Sequence, residues 1–354
     1  MKKIVLTGGG TTGHVSVNLA LIPKLLSQGW KVYYIGSKNG IERELIGPLD
    51  VEYIPITTGK LRRYFSWENL KDFFRVIRGI FQAISHIRKI KPDIVFSKGG
   101  YVSVPVVIGA WFNRVPALSH ESDLTPGLAN KLCQPFVKKV MVTFPETVKY
   151  IKNGKGYFLG PVIRDSLKNG DPKAGKIFLG IENDKPNILV MGGSLGARAL
   201  NDLIRDNLDR LTEKFNIIHA VGKNNLADIK CPGYIQKEYI QDDLKDVLAL
   251  ADLVVSRAGA NAIFEFLYYK KPMLLIPLPT RQSRGDQIQN AENFKNNGYA
   301  EVIHEDDLTR DSFLTCLDDI YMNRNSYIEN MEKFHFQDAV GTIYDDLEKM
   351  KKIR

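Results

Sequence analysis

Two short apolar runs, one in each half of the chain, end in glycine turns and continue into helical patterns, and this repeat constrains the fold most. The first is Lys3–Thr7, followed by Gly8-Gly9-Gly10-Thr11-Thr12-Gly13-His14. The second is Asn187–Met191, followed by Gly192-Gly193-Ser194-Leu195-Gly196-Ala197-Arg198. Glycine lets the backbone come close to a ligand, and the helix that follows points unpaired N–H groups at it. Turns of this kind in both halves predict two similar domains facing each other across a cleft, a faint internal duplication.

The remaining strand signals agree. Ile4–Leu6, Val32–Ile35, Ile94–Ser97, Ala117–Ser119, Lys139–Val142, Ile188–Met191, Ile217–Ala220, Leu253–Ser256 and Met273–Ile276 are mostly continuous Val/Ile/Leu runs. Such runs suit parallel strands covered on both faces. Helical patterns separate them, which predicts an α/β chain of doubly wound sheets. A length of 354 residues suits about two domains. Gly160-Pro161, flanked by glycine- and asparagine-rich segments, marks the expected boundary, giving domains 1–161 and 162–334. The tail from His335 carries Val340, Ile343, Tyr344, Leu347 and Met350 at helical spacing and needs a surface to dock on.

The net charge of +9 favours anionic partners without choosing among nucleic acid, phosphorylated metabolites and anionic lipid. Cys133, Cys231 and Cys316 are far apart, so neither a zinc site nor a disulfide framework is expected, and a reducing compartment is. The apolar run that begins at Ile4 ends at Gly8, too short for a signal-peptide core, and no segment reaches the ~18 apolar residues of a membrane span. The expected location is cytoplasmic.

A dinucleotide-dependent oxidoreductase would need an acid at the end of the second strand to hold the ribose. Here Val32–Ile35 runs into Gly36-Ser37-Lys38, which counts against that class. The first turn instead offers His14, a candidate general base beside Thr11, Thr12 and Gly13, although a histidine there can also simply cap the helix. A further glycine turn, Ser97-Lys98-Gly99-Gly100-Tyr101, and the polar strand end His120-Glu121-Ser122-Asp123 fall where parallel sheets bind ligands. In the second half, Ser256-Arg257-Ala258-Gly259-Ala260 opens a helix containing Asn261, Ala262, Ile263, Phe264 and Glu265. Asn261 and Glu265 share a helix face, and a carboxylate there can accept hydrogen bonds from both hydroxyls of a ribose. Asp286-Gln287 opens another helix, and its carboxylate and amide suit sugar hydroxyls.

Between residues 61 and 90 an aromatic and aliphatic stripe recurs at helical spacing beside basic residues. Phe65, Trp67, Phe73, Phe74, Ile77 and Phe81 lie among Arg62, Arg63, Lys71, Arg75, Arg78, Arg88 and Lys89. A core helix with a charged outer face has this pattern, and so does a helix that lies on an anionic membrane.

Seven segments in order resemble the MurG family: GGGTTGH, SKGGYVSVP, HESDLTPGLANK, GPVIR, MGGSLGARALN, SRAGANAIFEF and RGDQIQNA. The resemblance covers nearly the whole chain. It implies a GT-B fold, with two Rossmann-like domains around a cleft and the C-terminal helix, 335–354, packing back on an acceptor-binding, membrane-associating N-terminal domain. It implies inverting transfer of N-acetylglucosamine from UDP-GlcNAc to the MurNAc 4-hydroxyl of undecaprenyl-linked lipid I, giving lipid II and UDP for peptidoglycan. By the same resemblance Arg164 and Ser194, beside Gly193, would hold the diphosphate. Glu265 would take the ribose, Ile240 or Gln241 would flank the uracil, and Ala260, Asp286 and Gln287 would hold the GlcNAc. Thr11, Gly13, His14, Tyr101 (beside Gly100), His120, Glu121 and Asp123 would line the acceptor side. No cofactor is implied, and no Asp-x-Asp pair offers a metal site. The implied partners are the two substrates, an anionic membrane on its cytoplasmic face and cell-wall synthesis and division proteins, with no nucleic acid. The chain departs from the family at Thr11-Thr12-Gly13, Ser122-Asp123 and Asp286-Gln287, positions that bear on sugar and acceptor contacts. A UDP-GlcNAc 2-epimerase on the same fold is the nearest alternative; it would need no lipid acceptor.

Overall fold

The computed structural model describes residues 1–59, 67–193 and 196–351, with backbone alone for 67–71. The chain divides into two compact units, Met1–Arg164 with Gln337–Arg354, and Asp165–Phe336. In the first unit seven strands form one sheet: β1 Lys3–Thr7, β2 Lys31–Ser37, β3 Glu52–Ile56, β4 Ile94–Ser97, β5 Ala117–Glu121, β6 Lys139–Val142 and β7 Gly156–Phe158. Their spatial order is β3-β2-β1-β4-β5-β6-β7, and every pairing is parallel. The second unit holds β8 Asn187–Met191, β9 Asn216–Ala220, β10 Tyr234–Lys237, β11 Leu253–Ser256, β12 Met273–Leu275 and β13 Ala300–Val302. These run β10-β9-β8-β11-β12-β13, again all parallel. Both orders reverse direction beside the first strand of the unit, the doubly wound pattern whose crevice lies outside the carboxyl ends at that reversal.

Burial on both faces follows from the alternating direction of side chains along a strand. Ile4 and Leu6 join a core with Leu21, Tyr34, Phe96 and Met141, while Val5 joins another with Ile35, Val95, Val106 and Val140. The C-terminal helix Ala339–Met350 docks on the first of these cores through Ile343 and Leu347. Its Asp346 accepts hydrogen bonds from the Tyr157 hydroxyl and, at 3.2 Å, from Lys139 Nζ, and Lys2 pairs with Glu348 at 2.7 Å. In the second unit Ile188, Val190, Ile217, Leu253 and Val255 pack with Leu200, Ile204, Phe313 and Leu317.

The two sheets share a device at their opposite edge. Asp93, just before β4, accepts the Lys3 N–H at 2.7 Å, and Asp252, just before β11, accepts the Asn187 N–H at 2.7 Å. Each carboxylate fixes the register of the two central strands on either side of the reversal. The duplication visible in the glycine turns therefore extends to the far end of each sheet.

Candidate active site

In the first unit the reversal brings the β1 and β4 turns together. Gly10, Gly99 and Gly100 adopt φ of 89°, 91° and 81°, the left-handed region that glycine alone enters without strain. A Cβ on Gly100 would collide with the Gly9 carbonyl, and one on Gly10 with the Tyr101 ring. The turns therefore touch backbone to backbone. Asn18 and Tyr34 brace them from below: Asn18 donates to the Thr7 carbonyl at 3.1 Å, and the Tyr34 hydroxyl to the Gly8 carbonyl at 2.7 Å.

The turn also rests on a residue that the sequence did not single out. Glu42 is fully buried and accepts the Gly10 N–H at 3.1 Å, the Ser37 N–H at 2.9 Å and the Ser37 hydroxyl. A Cβ on Gly9 would strike its carboxylate. The acid that the chain brings to the end of β2 is thus spent on holding the glycine turn, not offered to a ribose. Its signal was faint, one glutamate in a short helix, Ile41–Ile46, following β2.

Thr11 and Thr12 are exposed and Gly13 and His14 half-buried, in a single 3-10 turn spanning Thr12–His14. The Thr11 hydroxyl lies 2.9 Å from His14 Nδ1, which orients the ring. His120 and Glu121 sit lower, buried at the end of β5. Burial, with the Lys98 ammonium adding, pushes the His120 imidazole well below its usual pKa, so it is neutral. Glu121 accepts from the Asp123 N–H at 3.1 Å, the Gly127 N–H at 2.9 Å and the Asn130 amide at 2.9 Å. It organises the loop that carries half-buried Asp123. Tyr101 is half-buried against Gly10, and burial raises its phenol pKa.

In the second unit the β8 and β11 turns are the corresponding pair. Gly193 and Gly196 have φ of 90° and 75°, and a Cβ on Gly196 would collide with the Val221 carbonyl. Ser194 lies outside the described residues. The Ser256 hydroxyl donates to the Met191 carbonyl at 2.8 Å, tying the two strand ends together. Three helices start at this edge, Arg198–Arg205, Ala260–Tyr268 and Asp286–Asn296, on Ala197, Gly259 and Gly285, none with a side-chain cap. Elsewhere Asp171, Thr309 and Asp338 cap their helices, while others, such as those starting at Ser16, Ser103 and Leu244, also lack a side-chain cap. An uncapped start directs backbone N–H groups outward, as anion binding requires.

Asn261, Ala262 and Glu265 are half-buried along one side of the helix Ala260–Tyr268, while Ile263 and Phe264 are buried in the core, Phe264 against the Phe294 ring at 5.0 Å. Ile263 and Phe264 therefore offer a ligand backbone, not side chain. Ala260 is nearly buried at the helix start. Gln287 accepts the Leu278 N–H at 3.1 Å, and Asp286 pairs with Arg284 at 3.3 Å, so both residues are fixed by the loop before their helix. Behind that loop Arg257 donates to the Ile276 carbonyl at 3.0 Å and to Glu305 at 2.6 Å. Ile240 is buried and Gln241 exposed after β10. Arg164 is half-buried at the end of the first unit's N-terminal segment.

The basic stripe forms the helix Trp67–Ile90, packed on the helix Ser103–Phe112 where Ala83 meets Gly109. Phe65 and the Trp67 side chain lie outside the described residues. Ile77 is half-buried, but Phe73, Phe74 and Phe81 are 52%, 63% and 69% exposed, well beyond a core helix. Trp111 and Phe112, which the sequence did not single out, end the neighbouring helix and are also more than half exposed.

The Glycosyltransferase family 28 N-terminal domain matches residues 4–142, and the Glycosyltransferase family 28 C-terminal domain matches residues 187–343. The chain is 55% identical over 347 residues to a protein of Geobacillus kaustophilus, with 97% of each chain covered. It is 51% identical over 350 residues to one of Clostridium tetani, with 98% of each covered. Both relatives are named UDP-N-acetylglucosamine–N-acetylmuramyl-(pentapeptide) pyrophosphoryl-undecaprenol N-acetylglucosamine transferase. The crystal structure of Acinetobacter baumannii MurG superposes with a TM-score of 0.78 at 23% identity, covering 99% of this chain and 100% of that one. An S. aureus MnaA–UDP co-structure superposes at 0.68 and 13% identity, covering 98% and 96%. These likenesses carry the GT-B fold. With both domain models matched in order along its length, the chain belongs to glycosyltransferase family 28 and, within it, to the MurG family.

Proposed function

We propose that this chain transfers N-acetylglucosamine from UDP-GlcNAc to the MurNAc 4-hydroxyl of lipid I, forming lipid II and UDP in peptidoglycan synthesis. The observation that carries this reading is identity above one half with enzymes of that name over nearly the entire chain. The acceptor oxygen attacks the anomeric carbon from the face opposite UDP, the bond to the diphosphate oxygen breaks, and configuration inverts. His14, oriented by Thr11, takes the hydroxyl proton. The electron pair leaves on UDP, where charge builds as the bond breaks. Backbone N–H groups of the β8 turn, Ser194, the uncapped helix starts and Arg164 meet that charge in this reading, which the helix starts at Arg198 and Ala260 support. Glu265 takes the ribose hydroxyls, Ile240 or Gln241 flanks the uracil, and Ala260, Asp286 and Gln287 hold the GlcNAc. Neutralisation by protein groups alone would make the reaction metal-independent.

The first unit is the acceptor domain in this reading, with Thr11, Gly13, Tyr101 and Asp123 toward lipid I and His120 and Glu121 holding the loop beneath. No helix among the described residues is long and apolar enough to cross a membrane. The exposed Phe73, Phe74 and Phe81, with Trp111 and Phe112 on the next helix and Arg75, Arg78 and Arg88 exposed among them, suit the anionic cytoplasmic face of the cell membrane, where lipid I resides. Incubation with radiolabelled UDP-GlcNAc and lipid I tests the reaction. Label must move to the lipid fraction with stoichiometric UDP; UDP formation or sugar epimerisation without lipid labelling would refute it.

A further inference from the structure

Lys98 is the residue of the first unit whose chemistry the reaction above leaves unused. It follows β4 at the reversal of the sheet, its N–H bonded to the Thr7 carbonyl of β1 at 2.9 Å. Its side chain is 2% exposed and runs beneath the β5 loop, where the ammonium donates to the Ser122 hydroxyl, itself buried. The carboxylates of Glu121 and Asp123 and the imidazole of His120 are the titratable groups that face it. Glu121 is engaged with the Asp123 and Gly127 N–H groups and the Asn130 amide, so it steadies the loop. Burying a cation against a hydroxyl is poorer for stability than an apolar side chain of similar length would be, so stability alone does not account for a lysine here.

We infer that Lys98 and Ser122 form a latch between the β4 glycine turn and the β5 loop, and that this latch positions Asp123 and its neighbours for the lipid acceptor. The latch joins three adjacent strand ends: β1 through the Thr7 carbonyl, β4 through Lys98 itself, and β5 through Ser122. Burial lowers the Lys98 pKa while the Glu121 and Asp123 carboxylates raise it, and in either protonation state Nζ donates a hydrogen bond that is strong and directional in a water-poor site, so it fixes the loop more tightly than packing alone. Lys98 is a positioning residue, since its buried ammonium touches the loop and not the substrate. The inference rests on the acceptor-side reading of the first unit.

The test compares Lys98→Met, Ser122→Ala, the double variant and Ser122→Thr. Steady-state transfer is measured with lipid I varied at saturating UDP-GlcNAc, and UDP affinity is measured by calorimetry. The latch predicts a rise of about 10- to 100-fold in the KM for lipid I in each single variant, the scale of a misplaced binding group. kcat and UDP affinity should change little, the double variant should be no worse than the worse single, and Ser122→Thr should recover the wild-type KM. Unchanged acceptor KM, additive losses, or an equal loss of UDP affinity would overturn it. Should Lys98→Met fail to fold, Ser122→Ala alone carries the comparison. If the wild-type protein does not use lipid I, the functional reading fails and the latch is judged by amide exchange. Faster exchange across 120–127 in either single variant supports it, and wild-type protection there refutes it.

Discussion

Replacing Glu42 separates the support of the β1 turn from its chemistry. The carboxylate accepts the N–H groups of Gly10 and Ser37 and the Ser37 hydroxyl, and it is fully buried. In Glu42→Gln the volume is kept, but the amide nitrogen must face one of these donors. Either the buried Ser37 N–H or the Gly10 N–H, on an exposed residue, then loses its acceptor, at a cost of about 1–3 kcal/mol for the first and less for the second. Glu42→Ala strands the buried Ser37 N–H, about 1–3 kcal/mol before any cavity is counted, and releases the Gly10 N–H. For a domain of this size each kcal/mol lowers the melting temperature by about 2–4 °C. The glutamine variant should therefore melt up to roughly 12 °C lower. Thermal and urea unfolding followed by circular dichroism give the stability, and label transfer gives activity. Because Gly10 immediately precedes Thr11 in the turn that carries His14, kcat should fall while UDP affinity is retained. A glutamine variant within about 0.5 kcal/mol of wild type and with normal kcat would show that the carboxylate does not hold the turn.

His14→Ala should lower kcat by about a hundred- to ten-thousand-fold with UDP affinity intact, and turnover near normal would remove it from the base role. Burial, with Arg205 adding, pushes the His219 imidazole from 6.5 down to about 3, while it bonds Tyr234 and Asn201 at 2.9 and 3.0 Å. The folded value lies below the unfolded one, so the unfolded state binds the extra proton. The contribution is complete above about pH 6.5 and is lost as pH falls toward 3. Urea titrations across that window should show a shallower pH slope for His219→Gln than for wild type; equal slopes would contradict the assignment. Replacing Phe74 and Phe81 together with aspartate should reduce binding to anionic vesicles by at least about tenfold, since each buried phenyl is worth about 1.5–3 kcal/mol. UDP binding serves as the control, and undiminished vesicle binding would place the membrane contact elsewhere.

The interior of both sheets was legible because buried parallel strands need unbroken apolar runs, and all nine predicted runs became strands. The four strands that the sequence did not reveal, β3, β7, β10 and β13, are the edges of the two sheets. Edge strands are covered less completely, so Glu52–Ile56 and Ala300–Val302 carry charged and half-buried residues and no clear run. Their strand state comes from pairing with a neighbour, which is a tertiary fact. Local pattern likewise gave the glycine turns, His14 and the shared face of Asn261 and Glu265, since each depends on spacings of a few residues.

The sequence by itself determined the α/β class, the repeat of strand, glycine turn and helix, and the family, because these are written in contiguous residues. Only the tertiary structure decided which turns meet. The doubly wound order sets the β1 turn against the β4 turn and the β8 turn against the β11 turn, pairs separated by tens of residues along the chain. The same long-range placement buries Glu42 under Gly10, carries the Lys98 ammonium beneath Ser122 and leaves Trp111 exposed at a helix end. Solvation and hydrogen-bond partners give those side chains their roles, and neither is fixed until distant segments pack.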